Sequence, residues 1–271
     1  MSERFFIREP IHAERARLSG PEAHHLLHVM RAKVGDRIVL FDGTGWEYEA
    51  QLVQVSRQEA QLAICHRCYV DRELPIFLVL AVAMPKGDRQ KWLVEKAVEL
   101  GVGRLVPLVA NRSVAHPSAK MLDRLRRTVI EASKQCGRNL LMEIHSPMSW
   151  AQWLAAYQPA QLRWVADPSG SMAWPQLSQP PERSTPDMPP ASAEAIGSSS
   201  THAQGGKPLW AAAVGPEGGW TQAELAQAQA AGWHLVSLGT RILRTETAAL
   251  ALAALLGSWA TYRFGLHTAT S

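Results

Sequence analysis

Two short loops near the C-terminal end carry residue types that can do chemistry. The first is Gly215-Pro216-Glu217-Gly218-Gly219, in which three glycines let backbone N–H groups come close to a ligand. Pro216 stiffens the turn, and Glu217 is its one ionisable side chain. The second runs Leu238-Gly239-Thr240-Arg241-Ile242-Leu243-Arg244-Thr245-Glu246 and sets Arg241, Arg244 and Glu246 around apolar Ile242 and Leu243. Backbone amides and apolar side chains together suit a flat adenine ring and a ribose. The first loop is not a Walker A loop, since no Gly-Lys-Ser/Thr follows, nor is it a GxGxxG fingerprint. Taken alone, each is equally well an ordinary strand-to-helix turn.

The elements around these loops must aim them at one place. Leu209 to Val214 is an apolar run that reads as a buried strand feeding the first loop. A helix follows, with Thr221 at its N-cap and Glu224 at capping-box spacing. A second strand, His234 to Leu238, feeds the second loop, and an Ala/Leu helix begins at Thr245 and runs to about Tyr262. Thr245 and Thr247 are candidate caps for it. Because this helix is apolar nearly all round, it belongs in a core or an interface. Further upstream, Ile76 to Ala83 is apolar throughout, as parallel strands covered on both faces are. A helix to Leu100 follows, with Asp88 placed to cap it, then Gly101 and a strand from Arg104 to Val109. This βαβ pattern marks an α/β protein with a mostly parallel sheet, whose ligands bind at the carboxyl ends of the strands.

The segments VGPEGGW and SLGTRILRTETAALALAAL, in this order and separated by a helix and a strand, closely resemble the bacterial ribosomal RNA small subunit methyltransferase E family. PKGDRQKWLVEKAVELGV and IEASKQCGRN resemble it as well, so the likeness is not confined to one end of the chain. That family methylates N3 of uridine 1498 of 16S ribosomal RNA and belongs to the SPOUT class. The resemblance implies a trefoil-knotted α/β domain over residues 73–271 and an N-terminal PUA-like β-barrel over residues 1–72. It implies S-adenosylmethionine as cofactor, held by Val214, Gly215, Pro216, Glu217, Gly218, Gly219, Leu238, Gly239, Ile242, Leu243 and Thr245. The small ribosomal subunit is the implied partner, and the class is typically homodimeric. N3 of uracil is a poor nucleophile while protonated, so a proton acceptor or an anion stabiliser is needed. Glu217 is the candidate base, and Arg112 or Arg244 the candidate stabiliser. A non-catalytic RNA-binding or ribosome-assembly protein, or the same chemistry on another RNA, are the competing readings.

The N-terminal portion reads as a helix over Glu22 to Arg31 and strands over Asp36–Phe41, Trp46–Val55 and Glu59–Cys68. Arg4, Arg8 and Arg31 are candidate RNA contacts here, joined by Arg112, Arg138 and Arg241 further on. A solvated surface explains the N-terminal arginines equally well. The helix Lys120 to Gln135 carries Arg124, Arg126, Arg127 and Lys134, which either track phosphate or form a solvated face. His24 and His28 stand at i, i+4, but without the Glu of HExxH they are read as core or RNA-facing side chains. Cys65 and Cys68 have CxxC spacing with no second pair, and on a strand they point to opposite faces. No metal site is expected.

At 271 residues the chain is long enough for two domains. A net charge of +4 and an isoelectric point near 9.1 are compatible with RNA binding without being evidence for it. No secretory or membrane-spanning segment is read, and three cysteines point to a reducing, cytoplasmic setting. Residues 168–207 hold seven of the 17 prolines with many Ser and Gly, which predicts a disordered insert between two strands of the catalytic domain.

Overall fold

The computed structural model describes residues 3–9, 11, 14–114, 117–170 and 206–265. The expected Pro/Ser-rich insert therefore lies outside the described residues from 171 to 205. The chain divides into two compact units, Met1–Glu73 with Arg126–Met142, and Leu74–Leu125 with Glu143–Ser271.

In the first unit, alternating residues make a curled sheet. Its strands are β1 (Arg4–Phe6), β2 (Arg15–Ser19), β3 (Arg37–Phe41), β4 (Trp46–Val55) and β5 (Glu59–Tyr69), in the order β1-β3-β4-β5-β2. β1 runs parallel to β3 and the other pairs are antiparallel. In β2 the pattern is plain: Ala16 and Leu18 point into the core while Arg15, Arg17 and Ser19 face out. Between β2 and β3, helix α1 (Gly20–His24) continues as a π-helical turn over His25–Val29, seating Ala23 and Leu26 in the same core as Phe5, Leu40 and Leu52. His24 and His28 are exposed, with ring centroids 4.9 Å apart, so they are not core residues.

A polar network ties Arg126–Met142 to this sheet. Glu47 on β4 accepts from Arg4 (2.8 Å), Arg72 (2.9 Å) and Asn139 (3.0 Å). Arg4 also donates to the Asn139 side chain. Arg138 grips Glu73 with two nitrogens, Nε at 2.7 Å and Nη2 at 2.5 Å, and is buried. Lys134 is buried too, 3.0 Å from Glu22.

In the second unit, β6 (Phe77–Val82), β7 (Arg104–Val109), β8 (Glu143–Ile144), β10 (Leu162–Ala166), β11 (Leu209–Val214) and β12 (His234–Val236) form a parallel sheet in the order β12-β10-β11-β6-β7-β8, and β9 (Met148–Ser149) also pairs with β7. β6 and β11 are buried over nearly their whole length, as their unbroken apolar runs require. Helix α2 (Arg89–Glu99) buries Leu93, Val94, Ala97 and Val98 and stops at Gly101, whose φ of 79° suits a residue without Cβ. Asp88 stands at its N-cap but makes no side-chain cap bond, because its own φ and ψ (−69°, −17°) are already helical rather than extended. Helix α3 (Ala119–Cys136) starts in this unit and ends in the first.

Tryptophans fill both faces of the sheet. On one, Trp150 and Trp153 of α4 (Trp150–Ala156), Leu225 and Ala228 of α5 (Gln222–Ala230), and Trp220 and Trp233 pack on Val79, Ala81, Val165, Ala211 and Ala213. On the other, Trp164 of β10 and Trp210 of β11 meet Trp259 of α6 (Thr245–Ala260), with ring centroids 5.5 and 4.8 Å apart. The all-round apolar character of α6 is explained by its contacts with α2, β6 and β11. To reach them, the chain leaves β12 at the edge of the sheet, crosses the carboxyl end of β10, and starts α6 beside β11.

The Glu47 network sets a pH dependence. Burial pushes its carboxyl up, but hydrogen bonds from Arg4, Asn139 and Arg72 outweigh this and hold it at about 2, against an ordinary value of 4.5. A lowered folded-state value contributes stability above the ordinary value and loses it as pH falls from 4.5 towards 2. We expect Glu47→Gln to cost about 1–2 kcal/mol at neutral pH after solvent screening. In denaturant titrations the gap between variant and native chain should close across that acid window; a gap constant with pH would contradict the assignment.

Candidate functional site

Parallel strands place their loops on one edge, and a cleft of the second unit opens there, beyond β10, β11 and β12. Its volume is about 730 Å³, within the range of small-molecule sites. Of the candidate cofactor residues, Val214, Gly215, Pro216, Glu217, Gly219, Leu238, Gly239, Ile242, Leu243 and Thr245 line it, and Gly218 lies in the same loop without lining it. Arg244 and Arg241 line it as well.

Local chemistry explains how the two loops are held. β11 is buried from Trp210 on, as are Gly215 and Pro216, leaving Glu217 and Gly218 exposed at the tip. Gly215 packs against Trp220: a Cβ there would lie 2.7 Å from the indole ring. The ring is fixed in turn, since its Nε1 donates to the Ala166 carbonyl at the end of β10 (3.0 Å). Thr221 and Glu224 form the capping box expected from their spacing. Glu224 does more, accepting the Asn111 N–H at 2.7 Å and so anchoring the loop after β7. That loop carries Arg112, whose Nη1 donates to the Gly218 carbonyl at 2.8 Å. Arg112 therefore grips the glycine loop from outside the cleft lining.

The two loops are joined by Thr245. Its hydroxyl donates to the buried Gly215 carbonyl at 3.1 Å. It does not cap α6: the N-cap is Arg244, which makes no side-chain cap bond, and Thr247 points to solvent. A threonine at the first helical turn is placed by what lies opposite it, and here that is the other loop.

Two residues that the sequence reading passed over, Arg89 and Asp167, belong to this site, and Glu246, read there only as a member of the second loop, joins them. Arg89, at the start of α2, lines the cleft with its Nη1 2.6 Å from Glu217 Oε1 and 3.5 Å from Glu246 Oε1. The Glu217 hydrogen bond pushes the Arg89 guanidinium up, keeping it a cation. Glu246 is buried beneath. Asp167, at the end of β10, lines the cleft with Oδ1 bonded to the Ser169 N–H (2.8 Å) and hydroxyl (2.5 Å). Nothing periodic marks Arg89, although it sits within the PKGDRQKW segment that carries the family likeness.

The remaining candidates sort by their surroundings. Arg8, Arg31, Arg112 and Arg241 are exposed, whereas Arg4 and Arg138 are engaged by Glu47, Asn139 and Glu73 inside the first unit. Arg124 donates to Gln90 at 3.0 Å. Among the described residues no group of three or more His, Cys, Asp or Glu is arranged to hold a metal ion, and Cys65, Cys68 and Cys136 are free thiols. No helix among the described residues is long and apolar enough to cross a membrane.

Removing the Thr245 hydroxyl tests the tie between the loops. Thr245→Val leaves the Gly215 carbonyl buried without its donor, at a cost of about 1–3 kcal/mol. We expect a lower melting temperature and a severalfold weaker calorimetric Kd for S-adenosylmethionine, with Thr247→Val unchanged in both. Equal behaviour of the two variants would show that the bond does not organise the cleft.

Comparison with known proteins agrees with this geometry. A model of the RNA methyltransferase domain matches residues 72–257, and one of the RNA methyltransferase PUA domain matches residues 18–65. The chain is 32% identical over 234 residues to ribosomal RNA small subunit methyltransferase E of Synechocystis, covering 85% of this chain and 69% of that one. It is 32% identical to its namesake in Bacillus subtilis, covering 86% of each. The structure of ribosomal RNA small subunit methyltransferase E from Neisseria gonorrhoeae bound to S-adenosyl methionine superposes with a TM-score of 0.76 at 28% identity, covering 95% of this chain and 98% of that one. With its SPOUT-type α/β unit and PUA-like N-terminal unit, the chain belongs to the ribosomal RNA small subunit methyltransferase E family.

Proposed function

We propose that the protein is an S-adenosylmethionine-dependent methyltransferase of small-subunit ribosomal RNA, and that its acceptor is N3 of uridine 1498 in 16S RNA. The observation that carries this reading is the single cleft built by the two loops, with glycine backbone on one side and Leu238, Ile242 and Leu243 on the other. Its size and mixed lining fit an adenosine, and its charged rim fits a polyanionic substrate.

When bound, S-adenosylmethionine supplies an electrophilic methyl group on a sulfonium and leaves as a neutral thioether. The chain must then orient that group, seat the uracil and take the N3 proton. The base edge is normally stacked or paired, so it must enter the cleft turned out of its strand. Glu217, at the exposed tip of the first loop, receives the N3 proton. Arg244, on the cleft wall, offsets the negative charge that develops on the uracil carbonyl oxygens. Arg112 acts through Gly218, fixing the loop that carries Glu217. Arg8, Arg31 and Arg241 are the exposed guanidinium groups we assign to phosphate contacts. Arg4 and Arg138 are left out of this assignment because carboxylates already hold them.

We further propose a homodimer acting in the cytoplasm. Light scattering at micromolar concentration should give twice the chain mass of 29.8 kDa, and a monomer mass would exclude the dimer. Methyl transfer from labelled S-adenosylmethionine to small subunits lacking the mark, followed by nucleoside mapping, should place the label on N3 of one uridine. Glu217→Gln should lower kcat about a hundredfold with little change in cofactor affinity. Label at another nucleotide would redirect the substrate assignment, and a fully active Glu217→Gln variant would remove the base.

A further inference from the structure

One guanidinium faces two carboxylates at the rim of the cleft. Arg89 Nη1 is 2.6 Å from Glu217 Oε1, whose side chain is 49% exposed, and 3.5 Å from Glu246 Oε1, whose side chain is 5% exposed. The other oxygen of Glu246, Oε2, is buried and has no hydrogen-bond partner among the described residues. A buried carboxylate oxygen without a donor is costly, so the site has an acceptor standing ready for a cation. The nearest cation, Arg89, reaches only the other oxygen of Glu246, at 3.5 Å, and is held closer by Glu217, the very group that the proposed reaction needs as a base.

That arrangement poses a chemical problem. A carboxylate held by a guanidinium loses the ion pair when it takes a proton, which makes it a poorer proton acceptor. The pair must therefore loosen as the proton moves. The other charged groups lining the cleft do not offer a substitute: Asp167 is bonded to Ser169, and Arg241 and Arg244 are exposed. Arg112 is bonded to the Gly218 carbonyl. Glu246, with its second oxygen vacant, is the group placed to draw Arg89 off.

We propose that Glu246 is a positioning residue that takes the Arg89 guanidinium from Glu217 when the uracil is seated, an inference that rests on the reading of Glu217 as proton acceptor. The N3–H bond then breaks, with its proton passing to the Glu217 carboxylate. The freed N3 electron pair forms the bond to the methyl carbon, while the carbon–sulfur pair stays on sulfur. Arg89 ends paired with Glu246, so the buried charge is compensated and Glu217 can be neutral. On product release the proton passes to water and Arg89 returns.

The test uses the full chain, Glu246→Gln, Arg89→Gln and the double variant, each checked for folding by thermal melting. Glu246→Gln should keep the Kd for S-adenosylhomocysteine within about twofold and lose about tenfold or more in kcat. The double variant should be no slower than Arg89→Gln, since Glu246 acts only through that guanidinium. Crystals of the native chain with S-adenosylhomocysteine and uridine monophosphate should show Arg89 on Glu246. Unchanged kcat in Glu246→Gln, equal losses in kcat and cofactor affinity, or multiplicative losses in the double variant would overturn the proposal. Should Glu246→Gln fail to fold, Glu246→Asp keeps the charge and should retain most of kcat; a loss of about tenfold or more would overturn it. Absence of transfer by the native chain despite cofactor binding would remove the base assignment and this inference together, whereas transfer with an indifferent Glu246 removes only the inference.

Discussion

The site depends on the hydrogen bond from the Thr245 hydroxyl to the Gly215 carbonyl. It joins the loop after β11 to the loop before α6, and so makes one cleft from two turns separated by a helix and a strand. The bond exists only because the chain recrosses the sheet. β12 lies at the edge, outside β10, while α6 packs on β6 and β11. Residues 237–244 must therefore span the carboxyl end of β10, where they wall the cleft. Short connections usually avoid such crossings, because threading a chain restricts it before any contact rewards it. Here the crossing is held down by α6, which buries Leu252, Ala253 and Leu256 fully or nearly so against its neighbours.

A second layer of bonds fixes the first loop from the side away from the cleft. Trp220 is packed under Gly215 and bonded to Ala166, Glu224 bonds both Thr221 and Asn111, and Arg112 bonds Gly218. The first links the glycine loop to the end of β10, and the other two link it to the loop after β7. Glycine backbone that is free to adopt many conformations becomes a fixed surface of N–H groups by these means. Fixed dipoles and a fixed methyl donor are what methyl transfer requires, since its rate comes from alignment and charge compensation. The charge at the rim is arranged with the same economy of groups, one arginine answering two carboxylates.

The first unit uses several basic residues for its own structure. Arg4, Lys134 and Arg138 read from the chain as members of a basic surface, yet each is paired with a carboxylate and withdrawn from solvent. The reason lies in sequence distance: Arg4 meets Glu47 and Asn139, and Arg138 meets Glu73, partners that the chain brings together only when the sheet curls. A positive residue is an RNA contact only if folding leaves it without such a partner.

Much of the fold and of the loops that line the cleft was legible in the chain itself. Unbroken apolar runs marked β6 and β11, a capping box marked the start of α5, and glycine-rich turns after two strands marked the cleft, because these depend on neighbours within a few residues. Motif likeness added the family and its cofactor. The strands β1 and β2 and the helix α4 were not legible: three to seven residues give too short a period to distinguish from loop. Only the tertiary structure decided that Thr245 ties loops instead of capping a helix, that Arg112 holds Gly218, and that Arg89 and Glu246 flank Glu217. These roles are set by hydrogen bonds and burial between residues 30 to 157 positions apart, and the identity of a side chain does not say what will stand opposite it once the chain has crossed its own sheet.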